Sequence, residues 1–451
     1  MSGTVKDGAD KGRSAADADT PGPQGAPHTA FNPGEFELVT IRLPVLATFA
    51  ALIAGLASGV VFAGAGLADS VLEAIALVGS LWLRALQMTI IPLVAALLVL
   101  GLTQMAQAAR AGAAARRFLV LVFGVLAFGG IFTAIFVPML LGLFPIPPSA
   151  SGFLAAGPVE ALEVPSILDF AASLIAPNII AAAAETAMLP LTVFFALFAI
   201  AITRLPGSQQ ASLLSFFHAL ANAMLVLIGW VLWTAPAGVF ALAFGVGMRS
   251  GGGAFAALAH YILIVSAMGA AILVLAYLVA GLLGGVGPVR FARAVMPAQA
   301  VAISTQSSLA SLPAMLDSSE RLGLRSSTAE FVLPLAVAIF RATSPAMNLA
   351  VALYVASLMG IAITPALLVA GIFVALIISV GTVSLPGSIS FVVSIGPIAL
   401  AMGVPIEPLA LLVAVEMLPD IMRTLANVTM NVAVASAVDR GRADGEAGQA
   451  L

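Results

Sequence analysis

Apolar runs long enough to cross a bilayer fill the chain between residues 41 and 285. A spanning helix needs roughly 20 predominantly apolar residues. Six runs qualify: 41–64, 70–108, 115–145, 178–204, 212–246 and 256–285. The longer ones must tilt or reach beyond the hydrocarbon. From residue 290 the pattern changes. Residues 290–320 are apolar, then a serine-rich turn with Pro313, then charged; Asp317, Glu320, Arg321 and Arg325 make that end resemble the side holding Arg290 and Arg293. This predicts a hairpin that enters and returns on one side. Residues 328–360 form a span interrupted by Pro345, with Arg341 near its middle. Residues 366–403 set a second polar turn, GTVSLPGS, between two short apolar arms, and 407–438 is the last span. Hairpin-then-span therefore occurs twice. Irregular backbone at membrane depth is tolerated only where protein buries it or it lines a cavity. Paired interruptions in corresponding halves point to a transporter site between inverted repeats.

The last span carries Glu416, Asp420, Arg423, Asn427 and Asn431 on an apolar background. Their steps of three or four put all five on one stripe of a helix. Ionisable groups at this depth are costly and mark functional sites. The stripe predicts one wall of a buried, wettable site; an Asp–Arg pair acting as interhelical glue is the plainer reading. Arg423 offers a planar fork suited to a carboxylate, and Asp420, one turn away, can accept from an ammonium. Together they suit an acidic amino acid. If the two instead closed on each other, Glu416 would be left unpaired. In the first hairpin, TQSSLASLP (Thr305 to Pro313) offers hydroxyls and free backbone N–H groups suited to an anion, although small residues also serve close helix packing.

Composition agrees with the hydropathy pattern. Hydrophobic residues are 61% of the 451 and charged ones 9%, with a mean hydropathy of +1.13; soluble domains carry about 25% charge. A net charge of −3 gives no reason to expect nucleic acid as a partner. There is no cysteine, which excludes thiol chemistry. His218 and His260 have no partner at metal-ligand spacing, so a zinc enzyme is not expected and no cofactor is implied. Residues 1–38 read as a disordered tail without an apolar signal core, and they hold both lysines, Lys6 and Lys11. Residues 439–451 read as a second tail, leaving 39–438 as the membrane domain. Arg110, Arg116, Arg117, Arg204, Arg290 and Arg293 all follow even-numbered spans. By the positive-inside bias both tails are cytoplasmic, which fits a bacterial inner membrane.

The C-terminal half resembles the dicarboxylate/amino acid:cation symporter family, the glutamate transporter homologues. TQSSLASLP is similar to that family's first hairpin, GTVSLPGS to its second hairpin tip, TAPAGVFAL (Thr234 to Leu242) to its fifth span, and LPDIMRTLANVT to its last helix. The resemblance implies an all-α polytopic fold of eight transmembrane helices and two re-entrant helical hairpins. It further implies a homotrimer and a transport domain that moves against a scaffold. It assigns the side-chain carboxylate to Arg423, the amino group to Asp420, and the main-chain carboxylate to Asn427 and Ser308. Ser307, Ser344 and Thr424 would be further contacts, and Leu385 to Gly387 the outer gate. Keeping Asp420 favours amino acids over plain C4 dicarboxylates. The chain also departs from the family. Where relatives carry Asn-Met-Asp-Gly-Thr, this chain reads Phe340-Arg341-Ala342-Thr343-Ser344, and Asn431 stands where relatives place an aspartate. Phe340, Ala342 and Asn431 are therefore degenerate sodium-site positions. Arg341 brings a fixed cation instead, and the charges of Glu416, Asp420, Arg341 and Arg423 sum to zero. This leads to the expectation of proton coupling, with Glu416 as the carrier. Alternatively, Arg341 pairs with Glu416 or Asp420 while sodium binds backbone carbonyls.

These readings predict a symporter of acidic amino acids, not an enzyme. The alternatives are a C4-dicarboxylate or neutral amino acid carrier, an intramembrane hydrolase using Ser308, and an anion channel. The hydrolase needs a base within reach, yet residues 290–451, which hold Ser308 and both hairpins, have no histidine or lysine. Paired opposite charges and two gates suit a channel poorly.

Overall fold

A computed structural model describes residues 44–63, 67–148, 172–250, 253–381 and 387–449. The chain divides into Met1–Glu37 and Leu38–Leu451. The first unit, with the tail expected there, lies outside the described residues, as do the loop 149–171 and the second hairpin tip, 382–386.

The described residues of the second unit form an all-α polytopic membrane protein. Its helices are α1 (Val45–Phe62), α2 (Asp69–Ala108), α3 (Ala113–Leu143), α4 (Ile179–Ala184), α5 (Met188–Ile202), α6 (Gly207–Trp233), α7 (Ala235–Ser250) and α8 (Gly253–Leu278). A π-helical turn, Val279–Leu283, extends α8. Then come α9 (Pro288–Thr305), α10 (Leu312–Leu322), α11 (Ser326–Ile339), α12 (Ser344–Leu358), α13 (Pro365–Gly381), α14 (Gly387–Ala401), α15 (Glu407–Leu412) and α16 (Met417–Gln449). Among the described residues, seven stretches are long and apolar enough to cross a bilayer.

Three expected spans come out differently. Residues 178–204 fold as α4 and α5, joined through Thr186 in the left-handed region. Residues 212–246 divide into α6 and α7 at Thr234, two residues before Pro236. The last span is broken. Residues 413–416 form a turn between α15 and α16, so Glu416 precedes the helix that carries the rest of the polar stripe. Pro419 accounts for the break. It has no N–H for the carbonyl of Val415, and its ring would clash there in a continuous helix. Pro345 does the same for the span 326–358, where residues 340–343 separate α11 from α12 and Phe340 is extended.

Burial separates these broken spans from the others. In both 326–358 and 417–441, 83% of the most apolar window is buried, against 28% for α1. Helices α1 and α7 pack with their backbones nearly touching. A Cβ on Gly59 would run into the carbonyl oxygen of Phe244 and sit 2.9 Å from the amide nitrogen of Met248, and one on Gly247 would lie 3.1 Å from the Cα of Gly59. Close approach of this kind drives helix association where lipid removes the hydrophobic incentive. Helices α9 and α10 form the first hairpin, whose tip turns at Gln306 in the left-handed conformation. Helices α13 and α14 pair as the arms of the second.

Candidate functional site

The two proline breaks face each other, and polar side chains stitch them together. Thr343 precedes α12, and its N–H has no intrahelical acceptor. Asn427 of α16 supplies one: its Oδ1 accepts from Thr343 N at 2.9 Å and from Thr343 Oγ1 at 3.1 Å. One turn into α12, Asn348 donates from Nδ2 to Ser344 Oγ at 3.0 Å. Its Oδ1 accepts from Arg423 Nη1 at 2.8 Å.

Arg423 is the hub, with 4% of its side chain exposed. Nε faces Asp420 Oδ1 at 3.2 Å, Nη2 donates to Glu416 Oε1, and Nη1 holds Asn348. The break at 413–416 is what lets Glu416 reach back to Arg423. This overturns the expectation that an Asp420–Arg423 pair leaves Glu416 alone. The second oxygen of Glu416 accepts from Tyr261 of α8 at 3.3 Å. Asp420 lies in the first turn of α16, where the helix dipole favours a negative charge. Arg341, half-buried in the other break, is within electrostatic range of Asp420 and Arg423. The four ionisable groups carry two formal charges of each sign, and a buried set must balance because an unpaired charge there costs several kcal/mol, of order 3–5.

Other sequence-derived candidates occupy different settings. Thr424 is buried next to Arg423 in the chain. Ser307 and Ser308, in the first hairpin tip, are half-buried. There the hydroxyls turn inward: Ser307 Oγ accepts from Ala310 N, and Ser311 Oγ donates to Ser307 O. Among the described residues, no hydrogen bond joins Ser307 or Ser308 to the Arg423 cluster. The hairpin is tied to α16 through Gln299 Nε2, which donates to Thr429 Oγ1 at 3.0 Å. Gly387 opens α14, while Leu385 lies outside the described residues.

Of the positions expected from the resemblance to be degenerate sodium sites, Phe340 is buried edge-on to Phe118, centroids 6.4 Å apart, and Ala342 is fully buried. Neither side chain carries an oxygen. Asn431 is fully buried, and both polar atoms of its amide lack a protein partner. An unmet buried amide costs about 1–3 kcal/mol, so it suits a water molecule or a small ion. Among the described residues, no group of three or more His, Cys, Asp or Glu is placed to hold a metal.

Two members of the network, Asn348 and Tyr261, escape sequence reasoning. Asn348 had a signal, since it is a carboxamide in an otherwise apolar helix, one turn after Ser344. Tyr261 had none, because a tyrosine in an apolar span is usually packing.

Comparison with known proteins adds an independent finding. The sequence profile of the Sodium:dicarboxylate symporter family matches residues 45–441. The neutral amino acid transporter B(0) of Bos taurus is 30% identical over 431 residues, covering 86% of this chain and 78% of that protein. The proton/sodium-glutamate symport protein of Bacillus subtilis (strain 168) is 26% identical over 398 residues, covering 86% and 90%. The proton/glutamate-aspartate symporter of Escherichia coli (strain K12) is 29% identical over 262 residues, covering 57% and 59%.

Proposed function

The chain belongs to the sodium:dicarboxylate symporter family, and from that premise we propose that it is a proton-coupled symporter of acidic amino acids in which the substrate carboxylate replaces Glu416 on Arg423. The observation that carries this is the occupation of Arg423: each of its three nitrogens already has a partner. An incoming side-chain carboxylate needs one of those places. Asp420 is required for the α-ammonium, and Asn348 is neutral. Glu416 is the partner that a proton can discharge, and protonated it can still bond Tyr261. The balance then closes. A glutamate or aspartate brings one net negative charge, the proton on Glu416 brings one positive charge, and the quartet stays neutral. Asn427 and the hairpin serine Ser308 would take the main-chain carboxylate, with Ser307, Ser344 and Thr424 as further contacts. Leu385 to Gly387 would close the outer gate. In this reading the two hairpins move with α16 in an elevator-type cycle within a homotrimer of the bacterial inner membrane, both tails cytoplasmic. Phe340 and Ala342 offer sodium no side-chain oxygen, which supports a proton as the coupling ion.

Proteoliposome uptake of labelled glutamate and aspartate, with choline replacing sodium, tests this. Uptake should persist and collapse with a protonophore; complete loss in choline refutes proton coupling.

A neutral amino acid carrier is the second reading. It is favoured by the closure of Arg423 by two carboxylates, because a zwitterion then displaces nothing. Alanine or glutamine uptake exceeding that of glutamate would select it. Succinate is disfavoured by Asp420, which would repel it.

A further inference from the structure

Three helix ends meet at one face of the membrane domain: the start of α3, the end of the π-turn after α8, and the point where α16 leaves the bilayer. The spans beginning at Ala113 and ending at Leu283 and Gly441 share this boundary. Between them lies a groove of about 570 Å³. Arg116, Arg117 and Arg440 line it, and none makes a hydrogen bond or ion pair to another described residue. The carboxylate nearest in sequence, Asp439, is held elsewhere. Arg325 Nε bonds its Oδ1 at 2.9 Å, and Arg325 Nη2 bonds its carbonyl at 2.8 Å.

Three guanidinium groups with no acidic partner among the described residues repel one another unless an anion joins them. Two glycines make room for this clustering. A Cβ on Gly285, at φ +68°, would lie 2.7 Å from Arg440 Nη1, and one on Gly441 would lie 2.9 Å from Arg117 Nη1. The rest of the groove is apolar and faces outward: Val120 is 71% exposed, Leu282 75% and Leu283 50%. A free anion would gain nothing from those leucines. A lipid would, since its phosphate sits at the polar boundary and its chains run along the span.

From three arginines that have no acidic partner among the described residues, above an exposed leucine flank, we infer that this groove binds an anionic phospholipid, the phosphodiester on Arg116, Arg117 and Arg440 and the acyl chains on Leu282, Leu283 and Val120. Basic pockets between transmembrane helices are a general means of holding such headgroups. The inference does not depend on the substrate or on the coupling ion.

The test is thermal-shift titration of the purified full chain with dioctanoyl phosphatidylglycerol, dioctanoyl phosphatidylcholine and inorganic phosphate. Phosphatidylglycerol should stabilise the protein, and the other two should not at the same concentrations. At about 5-fold per arginine, Arg116→Gln/Arg117→Gln/Arg440→Gln should shift half-saturation roughly 100-fold. Arg204→Gln, an exposed arginine just after α5, should respond as the unmodified protein does. Leu283→Asp keeps all three arginines but sets a carboxylate beside them on the apolar flank, where it repels a phosphodiester and is costly to desolvate under acyl chains, so it should also lose the response, even if the triple variant fails to fold. An equal response to phosphatidylcholine, a full response to phosphate, or retained binding in either variant overturns the inference.

Discussion

Replacing Glu416 with glutamine separates coupling from binding. The new side chain in Glu416→Gln keeps the volume, can still accept from Arg423 on its one oxygen and can donate from its amide nitrogen to the Tyr261 hydroxyl oxygen, but it carries no charge and takes up no proton. Arg423 retains Asp420 at 3.2 Å and Asn348 at 2.8 Å, but the exchange trades a charge-assisted hydrogen bond for a neutral one and leaves the cluster one net positive charge, a loss of a few kcal/mol, at most of order 3–5. The fold should survive it. Transport should change in kind. If one proton moves with each acidic amino acid, the cycle is electroneutral, and each unit of imposed pH difference, worth about 1.36 kcal/mol, supports at most about tenfold accumulation. In proteoliposomes with a two-unit gradient, acid outside, the unmodified protein should approach about 100-fold accumulation of glutamate. Glu416→Gln should fall to equilibration while still exchanging internal for external substrate. Substrate affinity should tighten as pH falls in the unmodified protein, since only protonated Glu416 vacates Arg423, and it should be flat with pH in the variant. If Glu416→Gln still accumulates glutamate against its gradient, Glu416 is not the proton carrier.

Arg423→Ala should weaken glutamate binding on the order of 10- to 100-fold, the worth of a buried charged hydrogen bond, and neutral amino acids much less; isothermal titration compares them. Because that change also strands Glu416 and Asp420, the double variant with Glu416→Gln should recover part of the lost thermal stability. Asn427→Ala removes the acceptor for the Thr343 N–H and should cost about 1–3 kcal/mol, read as a lowered melting temperature together with weaker substrate binding. Gly59→Ala drives a methyl into the carbonyl oxygen of Phe244 and to 2.9 Å from the amide nitrogen of Met248, which forces α1 off α7 and should cost about 1–3 kcal/mol by overpacking. Size-exclusion monodispersity and melting temperature report the loss, and an unchanged profile would contradict the backbone contact.

The hydropathy pattern made the class of fold legible, because only helices satisfy their own backbone in lipid. The first hairpin was legible too, as a polar turn between arms too short to cross, and so were the two packed arms of the second, whose tip lies outside the described residues. Polar residues stepping by three or four on an apolar background marked Asp420, Arg423, Asn427 and Asn431 as buried. That follows from local geometry and the cost of burying polar groups, both of which the chain carries by itself. The partners were decided elsewhere. Glu416 belongs to a turn rather than to the stripe, because Pro419 has no N–H for the helical bond to Val415, whose carbonyl instead accepts from Leu418 N in a tighter turn, and in that turn its carboxylate folds back to Arg423. Asn348 and Tyr261 reach the same cluster from positions 75 and 155 residues away from Arg423 and Glu416. Local periodicity carries no information about which distant helix will lie alongside, whereas packing of the two broken spans settles it: the break before α12 leaves the Thr343 N–H for Asn427 of α16 to accept, and Arg423 of α16 donates to Asn348 of α12.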